Sequence, residues 1–314
     1  MKVAILAALA LLLPGISFTA AADHSYTIKV GSLIRSYIVH TPPASGTAAP
    51  MATVILLHPY LATGAGFVGY SGLPTVADAR GFAVVAPNTV GGILGTWNSG
   101  GEGPQNIDDV AFLRAMIGAL VAQGISDPTR VYLAGMSDGG FMAYRGGCEL
   151  SDLVAAIGVV AATETQLNYK DTPPQPVYSC NLSHPVPVLH IHGLADNCVP
   201  FDGGGGSGLN SVQRQSVPET IANWQARDNC AAGTTTTTGP GGLLCGQNAC
   251  ASGSAVQLCT IAGAGHIWPG ASYFPAVVNA RCGGTGSSAI DAASAIWSFV
   301  SQYSLVNSAL SANP

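Results

Sequence analysis

The stretch Val131-Tyr132-Leu133-Ala134-Gly135-Met136-Ser137-Asp138-Gly139-Gly140-Phe141-Met142-Ala143-Tyr144 decides how this chain is read. Val131 to Ala134 reads as a strand, and Gly139 to Tyr144 can open a helix. Between them, Gly135-Met136-Ser137-Asp138-Gly139 matches Gly-x-Ser-x-Gly. A serine on so tight a strand-to-helix turn is presented at the end of a sheet, and glycines two before and two after it prevent clashes. In a chain with 40 Gly the five-residue pattern is weak alone, and a Gly-rich turn with an idle serine is the plain alternative. The flanking strand and helix give the pattern its weight.

Outward from this turn the same alternation recurs. Val54 to Leu57 and Phe82 to Ala86 are short continuous apolar runs, which suit strands buried on both faces of a parallel sheet. Thr75 to Arg80 fits a crossover helix between them. A longer helix is predicted from Asn106 as N-cap, with Asp108 and Asp109 in its first turn and Gly124 at its end. Tyr26 to Thr41 reads as an opening hairpin around Gly31-Ser32. Ala155 to Val160, Val186 to Ile191 and Ala255 to Ile261 read as further strands, and Ile290 to Val300 as a closing helix. Alternating strands and helices give an α/β fold with a mostly parallel central sheet and helices on both faces. The Gly203 to Gly208 and Ala231 to Gly242 segments read as low-complexity loops inserted between strands, so residues 23–314 are expected to form one domain.

Residues 1–22 are set apart from that fold. Lys2, the apolar run Val3 to Leu13, the break at Pro14-Gly15 and Ala20-Ala21-Ala22 before Asp23 have the layout of a secretory signal peptide. Eleven apolar residues are too few to span a bilayer, which needs about 20. No later run reaches that length, and a net charge of −5 without basic clusters argues against nucleic acid. All eight cysteines fall from Cys148 onward, and an even number in an exported chain reads as disulfides. The expected pairs are Cys148–Cys180, Cys230–Cys259, Cys245–Cys250 and Cys198–Cys282. Metal-binding Cys-x-x-Cys pairs are absent, Asn181-Leu182-Ser183 is a sequon, and a monomer is the default.

A serine nucleophile on such a turn takes its partners in the order acid, then histidine. After Ser137, the Val186 to Ile191 strand runs into His192-Gly193-Leu194-Ala195-Asp196, which puts Asp196 just past a strand end. Asp202 is a nearby rival among glycines, and Asp228 and Asp291 fall in helical segments. His266 follows the Ala255 to Ile261 strand and is the only histidine after Asp196. Asp196 would hold the imidazole tautomer while His266 takes the Ser137 proton. His190-x-His192 with Asp196 could instead suggest zinc, but no third ligand with suitable spacing is evident. Two backbone N–H groups should stabilise the oxyanion: that of Asp138, and one after Val54 to Leu57. Pro59 has no N–H, so the second falls to Tyr60 or a neighbour.

Together these motifs resemble the secreted feruloyl esterase and polyhydroxybutyrate (PHB) depolymerase group of α/β-hydrolase serine esterases. The matching pieces are Trp97-Asn98-Ser99-Gly100-Gly101, Asn106 to Leu113, Arg130-Val131-Tyr132 before the serine turn, His190 to Gly193 with Asp196 and Val199-Pro200, and Gly265-His266-Ile267-Trp268-Pro269-Gly270. The resemblance implies Ser137, Asp196 and His266 as a triad, Tyr60 as second oxyanion donor, Trp97 and Trp268 as walls of the acyl pocket, and no cofactor or metal. Family members carry His-Gly where this chain has His58-Pro59, and depolymerase relatives often have cysteine at Tyr60. The first departure bears on the oxyanion loop, whereas the missing cysteine and a chain that ends soon after the catalytic part, without a linker and substrate-binding module, favour release of ferulate-type hydroxycinnamic acids from plant cell-wall polysaccharide. The alternatives are a PHB depolymerase and, from another class, a catalytically inactive binding module.

Overall fold

In the computed structural model, which describes residues 22–43, 50–101, 103–168, 170–207, 213–271, 273 and 276–305, the chain opens as a hairpin. β1 (Ala22–Val30) and β2 (Leu33–Thr41) pair antiparallel around Gly31, whose φ of +59° suits a residue without Cβ. Then follow β3 (Met51–Leu57), α1 (Gly64–Ser71), α2 (Leu73–Arg80), β4 (Ala83–Pro87), α3 (Asp109–Ala122), β5 (Ser126–Met136), α4 (Asp138–Glu149) and β6 (Ala156–Val160). A ribbon of β7 (Leu167–Asn168) and β8 (Gln175–Pro176) precedes β9 (Val188–Gly193). After it come a second ribbon, β10 (Gly204–Gly205) with β11 (Gln213–Arg214), and α5 (Val217–Arg227). The chain continues through β12 (Thr235–Thr238), β13 (Leu243–Ala249), β14 (Ala255–Ile261), α6 (Ala276–Cys282) and α7 (Ala292–Val300).

Among the described residues, ten strands share one sheet in the order β1-β2-β4-β3-β5-β6-β9-β14-β13-β12. The six from β4 to β14 are parallel, and the antiparallel pairs lie at the two margins. Alternate residues of one strand feed different cores. Ile55 and Leu57 pack with Phe112 and Met116 of α3, Tyr144 of α4 and Trp224 of α5, whereas Val54 and Leu56 pack with Phe67 of α1, Leu73 of α2 and Phe299 of α7. Both faces are therefore buried, which is why Val54 to Leu57 and Phe82 to Ala86 read as unbroken apolar runs.

Three expectations need correcting. The N-cap of α3 is Asp108, whose side chain accepts the Ala111 N–H at 2.8 Å, and not Asn106. The Thr-rich part of the Ala231 to Gly242 segment is strand β12, because threonine suits an extended, solvated edge. Cys148–Cys180 and Cys198–Cys282 form as expected, but the other pairs are Cys230–Cys250 and Cys245–Cys259. Antiparallel pairing sets Cys245 directly opposite Cys259 on β14, and the Ala231 N–H bond to the Ala249 carbonyl brings Cys230 beside Cys250. Of the expected leader, residues 1–21 lie outside the described residues, while Ala22 opens β1 opposite Thr41. Among the described residues no helix is long and apolar enough to cross a membrane.

Candidate active site

Ser137 sits where β5 becomes α4, at φ +54° and ψ −120°, a conformation that side chains other than glycine rarely adopt. The turn is held by the Ser137 N–H on the Val160 carbonyl (3.0 Å) and the Phe141 N–H on the Ser137 carbonyl (2.9 Å). Its glycines are required by packing. A Cβ on Gly135 would stand 2.2 Å from the Gly139 carbonyl oxygen, and one on Gly139 would stand 2.0 Å from that of Leu57.

Asp196 lies past β9 and His266 past β14, neighbouring parallel strands, so their loops emerge side by side. The Ala195 N–H donates to the Ala264 carbonyl (2.8 Å), and the Asn197 N–H to that of Cys282 (2.7 Å). Asp196 Oδ1 accepts the N–H groups of Cys198 (2.8 Å) and Val199 (2.9 Å), while Oδ2 accepts His266 Nδ1–H at 2.7 Å. Burial pushes the carboxyl pKa up, but the attraction to the His266 imidazole, its hydrogen bond and the Val199 N–H outweigh it and hold the pKa below its usual range. An ionised Asp196 makes Nδ1 the protonated nitrogen, which leaves the Nε2 lone pair facing Ser137 Oγ at 2.8 Å. The three side chains thus form an unbroken line.

His190 and His192 stack at 5.2 Å on one face of β9 and form a second line behind the first. His192 Nε2–H donates to the Val199 carbonyl (2.8 Å), His190 Nε2–H donates to His192 Nδ1 (3.0 Å), and the Tyr144 hydroxyl donates to His190 Nδ1 (2.6 Å). Only this set of tautomers satisfies a chain that ends on a carbonyl. Burial lowers both histidine pKa values, so the rings stay neutral and hold the Val199 end of the acid loop in place.

Ser137 and His266 open into a cleft of about 620 Å³. Tyr60 and Asp138 line it beside Ser137, and Phe67, Tyr70, Phe141 and Tyr273 supply aromatic wall, a set not picked out from the sequence. The two tryptophans expected in the wall are absent from it. Both are fully buried: Trp97 gives its indole N–H to the His58 carbonyl (3.0 Å), and Trp268 gives its own to the Ser71 carbonyl (2.9 Å). Trp268 backs the wall from one layer behind, edge-on to Phe67 at 5.2 Å. A buried indole needs a partner for its N–H, and in both cases a backbone carbonyl away from the cleft provides it.

The family model for esterase PHB depolymerase matches residues 35–165. NocK of Nocardia uniformis subsp. tsuyamanensis, an esterase by its name, is 31% identical over 84% of this chain and 80% of its own length. The chain belongs to the esterase PHB depolymerase family. Feruloyl esterase B of Piromyces equi is 29% identical to this family member over 74% of the chain, a stretch that spans 42% of the relative. The solved acetyl xylan esterase from Aspergillus awamori superposes with a TM-score of 0.57 at 16% identity, covering 77% of this chain and 94% of its own. This esterase PHB depolymerase family member has the α/β-hydrolase fold and is a carboxylic ester hydrolase.

Proposed function

We propose that this esterase releases ferulate-type hydroxycinnamic acids from plant cell-wall polysaccharide, with Ser137 as nucleophile, His266 as base and Asp196 as acid. The line from Ser137 Oγ through His266 to Asp196 carries the reading. His266 Nε2 takes the hydroxyl proton as Oγ attacks the ester carbonyl, and the tetrahedral oxyanion forms against the backbone N–H groups of Tyr60 and Asp138. The C–O bond to the alcohol breaks as His266 returns that proton to it, and water, deprotonated by the same nitrogen, frees the acid and Ser137. Asp196 stays ionised and steadies the imidazolium. The aromatic wall of Tyr60, Phe67, Tyr70, Phe141 and Tyr273 suits a planar phenolic acyl group.

Three related assignments belong to the same reading. Export behind residues 1–22 fits the four disulfides. Residues 23–314 act as one catalytic domain, and the enzyme is monomeric. A second substrate, short-chain aliphatic polyester, is favoured by the exposure of Leu61 (51%), Ile93 (55%) and Tyr273 (62%) at the cleft mouth, where an apolar chain would be gripped. Rates on methyl ferulate and on hydroxybutyrate oligomers separate the two. Faster turnover of methyl ferulate is expected; faster turnover of the oligomers would replace the cell-wall reading with the polyester one.

A further inference from the structure

One buried residue ties the end of β3 to the serine turn. The Trp97 backbone N–H donates to Asp138 Oδ2 at 2.9 Å, and its indole N–H donates to the His58 carbonyl at 3.0 Å. Asp138 follows the nucleophile, and His58 opens the turn that carries Tyr60. Trp97 therefore grips both segments from which the oxyanion donors come.

His58 sets the direction of the second donor. Its fully buried ring meets the Pro59 carbonyl through Nδ1 (2.8 Å) and the Thr89 N–H through Nε2 (3.4 Å). A carbonyl only accepts and a backbone N–H only donates, so the proton is on Nδ1. In a planar trans peptide the C=O and N–H point opposite ways. With the Pro59 oxygen turned onto the buried ring, the Tyr60 N–H faces the cleft that Tyr60 lines. Proline removes one donor from this turn, and the preceding side chain aims the next.

Trp97 is itself braced. The Asn98 N–H donates to Asp109 Oδ2 (2.7 Å), Asp109 Oδ1 pairs with buried Arg35 (2.7 Å), and Arg145 Nη1 donates to both Asn98 oxygens (2.9 Å each). Gly103 passes so close that a Cβ there would stand 1.9 Å from the Trp97 carbonyl oxygen. This explains why an exposed-looking Trp-Asn-Ser-Gly-Gly stretch is packed so tightly.

We infer that Trp97 is a positioning residue that holds the Tyr60 and Asp138 N–H groups at a fixed separation around the oxyanion. The inference rests on the esterase reading of Ser137. Oxyanion donors are worth roughly 10²–10³ in rate each when prealigned, and a displacement of about 1 Å can cost ~10².

Trp97→Phe keeps an aromatic ring and removes the indole N–H. It is compared with wild type on 4-nitrophenyl acetate and on the corresponding thionoester, whose developing anion is on sulfur and is a poor acceptor. The expected result is a kcat loss of about tenfold or more on the oxygen ester, KM within about twofold, and a much smaller loss on the thionoester, in line with the value of aligned donors. Loss of folded protein scales both substrates alike and leaves their ratio untouched. If Trp97→Phe does not fold, the benzothiophene analogue of tryptophan, which keeps the bicyclic shape without the N–H, takes its place. An unchanged kcat, or an equal loss on both esters, overturns the inference while wild type remains an active, Ser137-dependent esterase. Absence of Ser137-dependent hydrolysis in wild type overturns the esterase reading itself.

Discussion

Cys198 and Cys282, 84 residues apart in sequence, are joined by a disulfide in the cleft wall, two residues beyond Asp196. The same junction carries the Asn197 N–H bond to the Cys282 carbonyl and the Gly265 N–H bond to the Thr285 carbonyl, so the bridge clamps the acid loop against the segment beneath His266. A disulfide of this kind typically stabilises the folded chain by about 2–4 kcal/mol. Cys198→Ser/Cys282→Ser should lower Tm and reduce kcat more than KM, measured by calorimetry and initial rates. Unchanged kcat at full folding would mean that the hydrogen bonds hold the acid loop without the bridge.

Gly139 and Gly69 should respond in opposite ways to alanine. A Cβ on Gly139 would meet the Leu57 backbone at 2.0 Å, whereas one on Gly69, exposed in α1, meets nothing within 4 Å. Gly139→Ala is expected to cost about 1–3 kcal/mol and to impair activity by displacing the serine turn. Gly69→Ala is expected to stabilise by about 0.5–1 kcal/mol through helix propensity. Urea unfolding of both variants checks the pair.

Asp228 makes stability depend on pH in an identifiable window. Its backbone N–H closes the C-terminus of α5 on the Trp224 carbonyl, and its buried carboxylate accepts the Val186 N–H (3.0 Å) and the Ser254 hydroxyl (2.6 Å). Burial pushes its pKa from 3.8 up to about 6. Between those values the folded protein binds more protons at this site than the unfolded chain, so stability falls as pH rises and levels off above about 6. About two pH units correspond to about 3 kcal/mol. Relative to Asp228→Asn, wild type should therefore lose up to about that much between pH 4 and pH 7 in denaturant titrations. Parallel curves would contradict the assignment.

How far the sequence could be read follows from what each residue type signals. Val54 to Leu57 was legible because both faces of that strand are buried and nothing polar interrupts it, and Ala255 to Ile261 because apolar residues dominate it despite Gln257 and Thr260. β12 was not, since a solvated edge strand of threonines has no apolar face to alternate. α1 escaped notice because three glycines obscure its helical period, although Thr63 caps it. Ser137, Asp196 and His266 could be picked out because chain order and strand ends constrain them. Trp97 misled, because a tryptophan in a motif reads equally as pocket wall or as buried brace, and only the partner of its N–H decides. Disulfide pairing needed the β13–β14 register, which spacing does not encode.

The most direct test of the account is turnover of a 4-nitrophenyl ester by wild type, Ser137→Ala and His266→Ala, with fluorophosphonate labelling located by peptide mapping. The account predicts that both variants fold with nearly unchanged Tm, lose about 10⁴–10⁶ in kcat, and that the label falls on Ser137 in wild type alone. Near-full activity in a folded Ser137→Ala protein, or a label on another serine, would contradict it.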